Sequence, residues 1–145
     1  MITSRKAFTL IELLIIVVII GVLTAIAVPK FAGLIDKSRE GATKGQLSTL
    51  RSALNIYYGD NMSYPADALD SLTENQKYLS AIPIVKLPGT THPENRHVTD
   101  GGTLALALTD TGGWAYVNAS EDKDWGALRI NCSHQDSKGQ NWSEQ

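Results

Sequence analysis

An apolar run from Phe8 to Val28 restricts the fold of this chain more than any other feature of its sequence. Only Thr9, Glu12 and Thr24 among its 21 residues carry polar side chains. As an α-helix rising about 1.5 Å per residue, the run would be roughly 32 Å long, close to the ~30 Å hydrocarbon core of a bilayer. The sequence therefore predicts a membrane-spanning helix near the N-terminus.

Glu12 is the unusual residue of this run, because a carboxylate inside a membrane is costly. On insertion scales a charge at the helix centre costs about 2.5–3.5 kcal/mol. We therefore expect Glu12 to have a partner that is linked to the function of the chain. Arg5 and Lys6 precede the run, and basic residues on this side predict a cytoplasmic N-terminus.

Three interpretations of the segment compete. A plain membrane anchor explains the length of the run but leaves Glu12 unexplained. A secretory signal peptide would be cleaved after the segment 25–27 (Ala-Ile-Ala), but its apolar region is about 7–15 residues long, shorter than this run, and Glu12 does not fit it. The third interpretation is a short leader followed by an assembly helix, and the residues around Phe8 favour it.

The segment Lys6–Leu14, with the sequence KAFTLIELL, closely resembles the class III signal of type IV pilins and type II secretion pseudopilins. In that family a prepilin peptidase cuts before the Phe and methylates the new amino group. The resemblance implies that residues 1–7 are a leader, that Ala7 and Phe8 flank the cut, and that Glu12 becomes the fifth mature residue. Ala7 is a departure, since the family usually has Gly there.

The resemblance also implies an α+β fold, in which a long N-terminal helix packs on a small C-terminal antiparallel β-sheet. Residues 8–29 would form the transmembrane and assembly half of the helix, and residues 30–60 its amphipathic half. Residues 61–145 would form a globular head with an αβ-loop, about three strands and a C-terminal tail. Gly21 and Pro29 match family positions that loosen the helix, and Pro29 would kink it by removing a backbone donor.

Cleavage would place a positive amino group on Phe8, one helical turn from Glu12. Residues at i and i+4 share a helical face, so the two charges could pair within one subunit. In a filament, Glu12 could instead pair with Phe8 of a neighbouring subunit. A low dielectric strengthens such a pair, so the charge would fix the register of otherwise apolar helices.

Apolar residues recur at helical spacing after Pro29. Four of them are separated by three, four and three positions and form one face: Leu47, Leu50, Leu54 and Tyr57. This spacing predicts an amphipathic helix whose apolar face lies on the sheet.

Short β-compatible segments between turn residues then follow. Three are predicted to be strands: Thr103–Leu108, Gly113–Asn118 and Gly126–Asn131. The acidic segment 120–124 separates the last two, which are expected to form an antiparallel hairpin. Residues 67–72 are predicted to form a short helical turn, residues 86–102 a loop, and residues 133–145 an irregular tail.

Signals of catalysis are weak, and the chain is not expected to be an enzyme. No nucleophile elbow or P-loop is present, and His92, His97 and His134 have no recognisable metal-ligand spacing.

Cys132 is the only cysteine, so it cannot form an intramolecular disulfide and is predicted to be a buried thiol. From Met62 onward six basic residues face eleven acidic ones, which argues against nucleic-acid binding.

Calcium is the one cofactor for which the sequence offers candidate ligands. Asp122 and Asp124 alternate with Lys123, as oxygen ligands do in Ca²⁺ loops. Major pseudopilins bind Ca²⁺ through a C-terminal loop, so the resemblance makes Asp122, Asp124 and Asp136 candidate ligands. An acidic turn without an ion is the preferred interpretation.

Four asparagines begin Asn-x-Ser triplets: Asn61, Asn118, Asn131 and Asn141. Such triplets are acceptors for N-glycosylation. Chance occurrence is the preferred interpretation, and Asn131, in a predicted strand beside Cys132, would be a poor acceptor.

These features together predict a structural subunit. The chain would cross the bacterial inner membrane once, lose residues 1–7, and assemble with copies of itself into a helical filament at the cell surface. The resemblance implies a prepilin peptidase, an assembly ATPase, a platform protein and minor pilins as partners. Two alternatives stay open: a type II secretion pseudopilin in a short periplasmic piston, and a membrane-anchored binding module that does not assemble.

Overall fold

The computed structural model describes residues 8–145 of the chain. One long helix, α1, runs from Leu10 to Asn61. The chain forms two compact units, and the boundary between them falls within α1, after Ile35. All strands and short helices of the described chain belong to the second unit.

The first unit consists, in its described part, of the apolar part of α1. It contains an 18-residue stretch long and apolar enough to cross a membrane, as the sequence predicts. The helix is not interrupted at Gly21 or at Pro29. The kink expected at these two residues stays a prediction.

The second unit has its core on one face of α1. Four apolar residues of this helix are almost completely buried: Leu47, Leu50, Ala53 and Leu54. They join a cluster that includes Trp114, Tyr116 and Ile130 of the sheet, with Tyr57 packed at its edge. The amphipathic face predicted from the three-four-three spacing is therefore confirmed, and it lies on the sheet.

The sheet has three strands in the order β1 (Val98–Gly101), β2 (Trp114–Val117) and β3 (Leu128–Ile130). β2 and β3 are antiparallel, whereas β1 and β2 run parallel. All four residues of β2 are buried, because this strand is paired on both edges and carries two of the three largest buried side chains, Trp114 and Tyr116. The hairpin predicted for the last two strands is confirmed, but the sheet is mixed and not purely antiparallel.

The segment Thr103–Leu108, predicted as a strand, is instead a short helix, α2, from Leu104 to Ala107. The alternation of Leu and Ala resembles a strand pattern, but both residues are strong helix formers. Thr103 caps the helix by accepting a hydrogen bond from the backbone N–H of Leu106.

β1 lies in the segment 86–102, which was predicted to be a loop. Parallel strands need a long crossover, usually through a helix, and α2 provides that crossover between β1 and β2. At the end of β1, a Cβ on Gly101 would lie 2.9 Å from the backbone nitrogen of Ala107. Only glycine therefore lets α2 approach the strand this closely.

Short 3₁₀ turns cover the rest of the core. One spans Asp70–Leu72, which confirms the helical turn predicted within residues 67–72, and another spans Glu74–Gln76. A third, Trp142–Glu144, belongs to the tail. The tail is irregular as predicted, yet Trp142 is completely buried in the core.

Replacing Leu50 by alanine should destabilise the second unit by about 3 kcal/mol, because it opens a cavity at a residue with no exposed surface. Ile56→Ala is the matched control, since Ile56 is on the same helix but 60 % exposed. Denaturant unfolding of the full chain in detergent micelles, followed by tryptophan fluorescence, measures both changes. Equal losses of stability in the two variants would contradict the assigned core.

Candidate assembly site

The first turn of α1 is closed by reciprocal hydrogen bonds between Thr9 and Glu12. The backbone N–H and the hydroxyl of Thr9 donate to Glu12 Oε2 at 2.9 and 2.8 Å. The backbone N–H of Glu12 donates in return to Thr9 Oγ1 at 3.3 Å. This is a capping box, in which a Thr and a Glu three residues later satisfy N–H groups at the start of a helix.

The capping role of Glu12 was not predicted from the sequence, although the Thr-x-x-Glu spacing is typical of a capping box. Both bonds from Thr9 reach Oε2, and among residues 8–145 no hydrogen bond to Oε1 is found. Neutral donors leave the charge of the carboxylate in place, so Glu12 can still pair with a cation. Ala7 lies outside the described residues, as does the whole predicted leader. The predicted pairing of Glu12 with the amine of Phe8 stays a prediction.

Large apolar side chains cover the first unit from Leu10 to Val28. Each is between 45 % and 89 % exposed, whereas water-soluble monomers rarely expose contiguous apolar patches beyond a few hundred Å². A surface of this kind is stable in lipid or against other apolar helices. The segment is therefore suited both to a bilayer and to a bundle of like helices.

Comparisons with known proteins agree with this geometry. Residues 2–28 match the family model described as the prokaryotic N-terminal methylation motif. Type II secretion system core protein G of Pseudomonas aeruginosa is 32 % identical over 113 residues, covering 78 % of this chain and 72 % of that protein. Fimbrial protein EcpC of Eikenella corrodens is 36 % identical over 143 residues, covering 88 % of this chain and 90 % of that protein.

The chain belongs to the type IV pilin and pseudopilin family. The type IV narrow pilus major component PilA5 of Thermus thermophilus is also similar, with 49 % identity over 51 residues, 35 % of this chain and 44 % of that protein. No solved structure matches. Membership confirms the predicted family and shows a structural subunit of a multi-subunit filament, which is not an enzyme.

Asp136, one of the calcium candidates, is the centre of a buried polar contact in this pilin-like head. Its side chain has no exposed surface. Oδ2 accepts from Lys44 Nζ at 2.5 Å and from Gln145 Nε2 at 3.1 Å, and Oδ1 accepts from the backbone N–H groups of Lys138 and Gln140. The Lys44 ammonium first, and then these other donors, hold the pKa of Asp136 well below its usual range. Asp136 thus ties the C-terminal tail to α1.

Asp122 and Asp124 lie together in the turn before β3. Asp122 Oδ1 accepts the backbone N–H of Asp124 at 2.8 Å, which closes the turn. Asp136 is instead engaged with Lys44, Gln145 and the backbone N–H groups of residues 138 and 140. Calcium binding by Asp122, Asp124 and Asp136 stays a candidate beside the preferred interpretation of an acidic turn without an ion.

A different group of side chains has the composition of a metal site. His92, Asp110, Cys132 and His134 each offer one ligand atom, and these atoms lie within 4.8 Å of one another. The sequence spacing of the histidines does not indicate this cluster, because the fold brings His92 and His134 together from positions 42 residues apart. The signal available in the sequence was the pair Cys132 and His134, two residues apart.

The environment of this cluster affects two of its groups. The backbone N–H of Ser133 donates to Asp110 Oδ1 at 2.7 Å and holds the pKa of that carboxyl below its usual range. Burial raises the pKa of the Cys132 thiol, which confirms the predicted buried thiol. Beside it, Asn131 is also fully buried, which agrees with its expected weakness as a glycosylation acceptor.

The Asp136→Asn variant should lose stability in a pH-dependent way. Because the folded-state pKa of Asp136 is lowered, its ionised form stabilises the fold above the unfolded value of about 3.9, and this contribution disappears as the pH falls through the folded-state pKa. We expect a loss of about 3 kcal/mol at pH 7, shrinking steadily below pH ~4. Denaturant unfolding at several pH values measures it.

Asp36→Asn is the control for this experiment, since Asp36 is an exposed residue of the same helix. It should leave the free energy of unfolding unchanged within about 0.5 kcal/mol. A stability difference for Asp136→Asn that is the same at pH 7 and pH 3 would show that the charge of Asp136 contributes nothing.

Proposed function

We propose that this chain is the main structural subunit of a type IV pilus. The observation that carries the proposal is the apolar surface of α1 from Leu10 to Val28, which the described chain leaves exposed, with a single carboxylate, Glu12, in its first turn. In the membrane this surface contacts lipid. In the filament it packs against the same segment of neighbouring subunits, while the second unit, with its own core, forms the outer surface.

The proposal includes the maturation of the chain. Residues 1–7 are removed by a prepilin peptidase between Ala7 and Phe8, and the new amino group is methylated. Before cleavage, Arg5 and Lys6 hold the N-terminus in the cytoplasm, and the second unit lies on the opposite side of the inner membrane. An assembly ATPase, a platform protein and minor pilins then act on the processed subunit.

A pseudopilin of type II secretion is the second candidate. The similarity to core protein G of Pseudomonas aeruginosa supports it. The similarity to the fimbrial protein EcpC extends over a larger share of both chains and supports the pilus. The two candidates share the membrane helix, the processing and the role of Glu12, so they differ in where the assembled subunit is found.

Intact mass spectrometry of sheared extracellular filaments and of the membrane fraction separates these candidates. A pilus subunit should be recovered from long sheared filaments as residues 8–145 with one methyl group on Phe8. The same mass confined to the cell envelope would favour the pseudopilin. An uncut chain in both fractions, or one cut after Ala27, would contradict the proposed maturation.

The charge of Glu12 should be required for assembly and not for membrane insertion. Glu12→Gln keeps the hydrogen bonds of the capping box, since Gln caps as Glu does, but it removes the charge that would pair with the amine of Phe8. We expect Glu12→Gln and Glu12→Val to insert normally and to lower filament yield by at least tenfold. The yield of sheared filaments measures assembly, and membrane fractionation measures insertion.

Thr9→Val separates capping from charge, because it removes the capping hydroxyl and leaves the carboxylate. Thr24→Val is the control for removing a hydroxyl elsewhere in the apolar segment. Both threonine variants should assemble. Wild-type filament yield from Glu12→Gln, combined with loss of filaments from Thr9→Val, would show that Glu12 acts only as a cap.

A further inference from the structure

Four side chains of the second unit point their ligand atoms at one small volume. They come from three places: His92 from the loop before β1, Asp110 from the loop after α2, and Cys132 with His134 from the segment after β3. His92 Nε2 lies 3.2 Å from His134 Nδ1 and 3.2 Å from Asp110 Oδ1. His134 Nδ1 lies 3.7 Å from the same carboxylate oxygen and 3.5 Å from Cys132 Sγ.

These separations are those of ligands around a tetrahedral zinc ion. With Zn–N and Zn–O bonds of about 2.0–2.2 Å and a Zn–S bond of about 2.3 Å, tetrahedral angles give N–N and N–O edges of about 3.4 Å and N–S edges of about 3.6 Å. The four measured distances agree with these edges within a few tenths of an ångström. The remaining pairs, both involving Cys132, are within 4.8 Å, so each exceeds the ideal edge by about 1.2 Å at most.

Hydrogen bonding cannot account for all the short contacts of this cluster at once. The two imidazole rings meet edge to face, with centroids 5.0 Å apart, and their nitrogens face each other across 3.2 Å. A neutral imidazole has one N–H, so His92 Nε2 cannot donate fully to both His134 Nδ1 and Asp110 Oδ1. A cation at the centre would satisfy all of these lone pairs together.

We propose that His92, Asp110, Cys132 and His134 bind one structural Zn²⁺ ion in the head of this pilin-family protein. A thiolate, two imidazoles and a carboxylate form a ligand set that suits zinc, whereas Ca²⁺ and Mg²⁺ prefer oxygen ligands. All four positions are filled by the protein, which is typical of a structural site and not of a catalytic one.

Hydrogen bonds from neighbouring residues hold the backbone and the carboxylate of Asp110 in place. Asp110 has a left-handed conformation, φ 56°, which is strained for a non-glycine residue. The buried side chain of Asn131 fixes it, since its Oδ1 accepts the N–H groups of Thr109 and Asp110, both at 2.8 Å. The N–H of Ser133 then donates to the Asp110 carboxylate. Asn131 is thus a positioning residue for the site.

The other ligands are supported by their neighbours. The carbonyl groups of Cys132 and His134 accept the N–H groups of Ser143 and Trp142, each at 3.0 Å. Beneath His92, Gly112 has φ +79°, and a Cβ there would lie 3.1 Å from His92 Cβ. The ligands are therefore brought together by the fold before any ion arrives, as an effective metal site requires.

The site is buried on one side and open on the other. Cys132 is 1 % exposed, and the His92 side chain 10 %, whereas the side chains of Asp110 and His134 are 43 % and 45 % exposed. An ion can thus enter from solvent. Once bound, it would cross-link segments separated by up to 42 residues and replace the disulfide that a single cysteine cannot form.

Metal binding by the untagged full chain in detergent micelles tests the proposal. After removal of metal with a chelator, titration with Zn²⁺ should show one ion bound per chain. The midpoint of thermal unfolding should rise with Zn²⁺, and Ca²⁺ at the same concentration should not raise it. Loaded with Co²⁺, the chain should show the intense visible bands of a tetrahedral ion and a thiolate charge-transfer band.

Matched variants show where the ion binds. Cys132→Ser and His134→Gln should each weaken zinc affinity at least ~100-fold, and Cys132→Ser should abolish the charge-transfer band. His97→Gln is the control, because His97 is an exposed histidine outside the cluster and should bind zinc like the wild type. His134→Gln, at a partly exposed residue, remains informative if Cys132→Ser fails to fold.

Two results would overturn the proposal. One is the absence of stoichiometric Zn²⁺ binding to the folded wild-type chain. The other is binding that is unchanged in His134→Gln, or weakened equally in His97→Gln, since either would place the ion elsewhere. Neither result affects the proposed role in a pilus, which depends on the first unit of the chain and is measured by filament yield.

Discussion

One helix of this chain must satisfy two environments, and the rest of the structure follows from that requirement. From Leu10 to Val28 its side chains are apolar except for Glu12 and Thr24, so burial from water, at about 25 cal/mol per Å², favours lipid or like helices around most of the circumference. Around Leu50 the same helix is amphipathic, and the sheet covers its apolar face. Assembly can therefore exchange the surroundings of the first unit without disturbing the core of the second.

Glu12 is tolerable in the apolar segment because it lies at the helix start. There its carboxylate accepts hydrogen bonds from Thr9 and faces the positive end of the helix dipole. These interactions lower the cost of removing the carboxylate from water, but they are made by neutral groups and leave its charge uncompensated. A cap that satisfies hydrogen bonds without cancelling charge is compatible with a later ion pair to a neighbouring subunit.

Local patterns in the sequence predicted the elements whose formation is local. The spacing around Leu50 identified the buried face of α1, and the segments around Tyr116 and Arg129 were correctly assigned as strands. The Leu–Ala alternation of α2 was misread, because it fits a strand as well as a helix until Thr103 is recognised as a cap. Lys44 with Asp136, and His92 with His134, are 92 and 42 residues apart, and no local pattern indicates such pairs.

Polar contacts between residues far apart in the sequence help to order the second unit, because its sheet is small. Three strands of three or four residues give few ladder hydrogen bonds, and the tail after β3 is mostly irregular. Charged residues of α1 hold that tail instead: Glu40 accepts from Ser137, Lys44 pairs with Asp136, and Arg51 donates to the carbonyl of Gln145. A zinc ion after β3 would fix the other end of the same segment. The tail would then be held at one end by charged contacts and at the other by coordination, with Trp142 buried in the core between them.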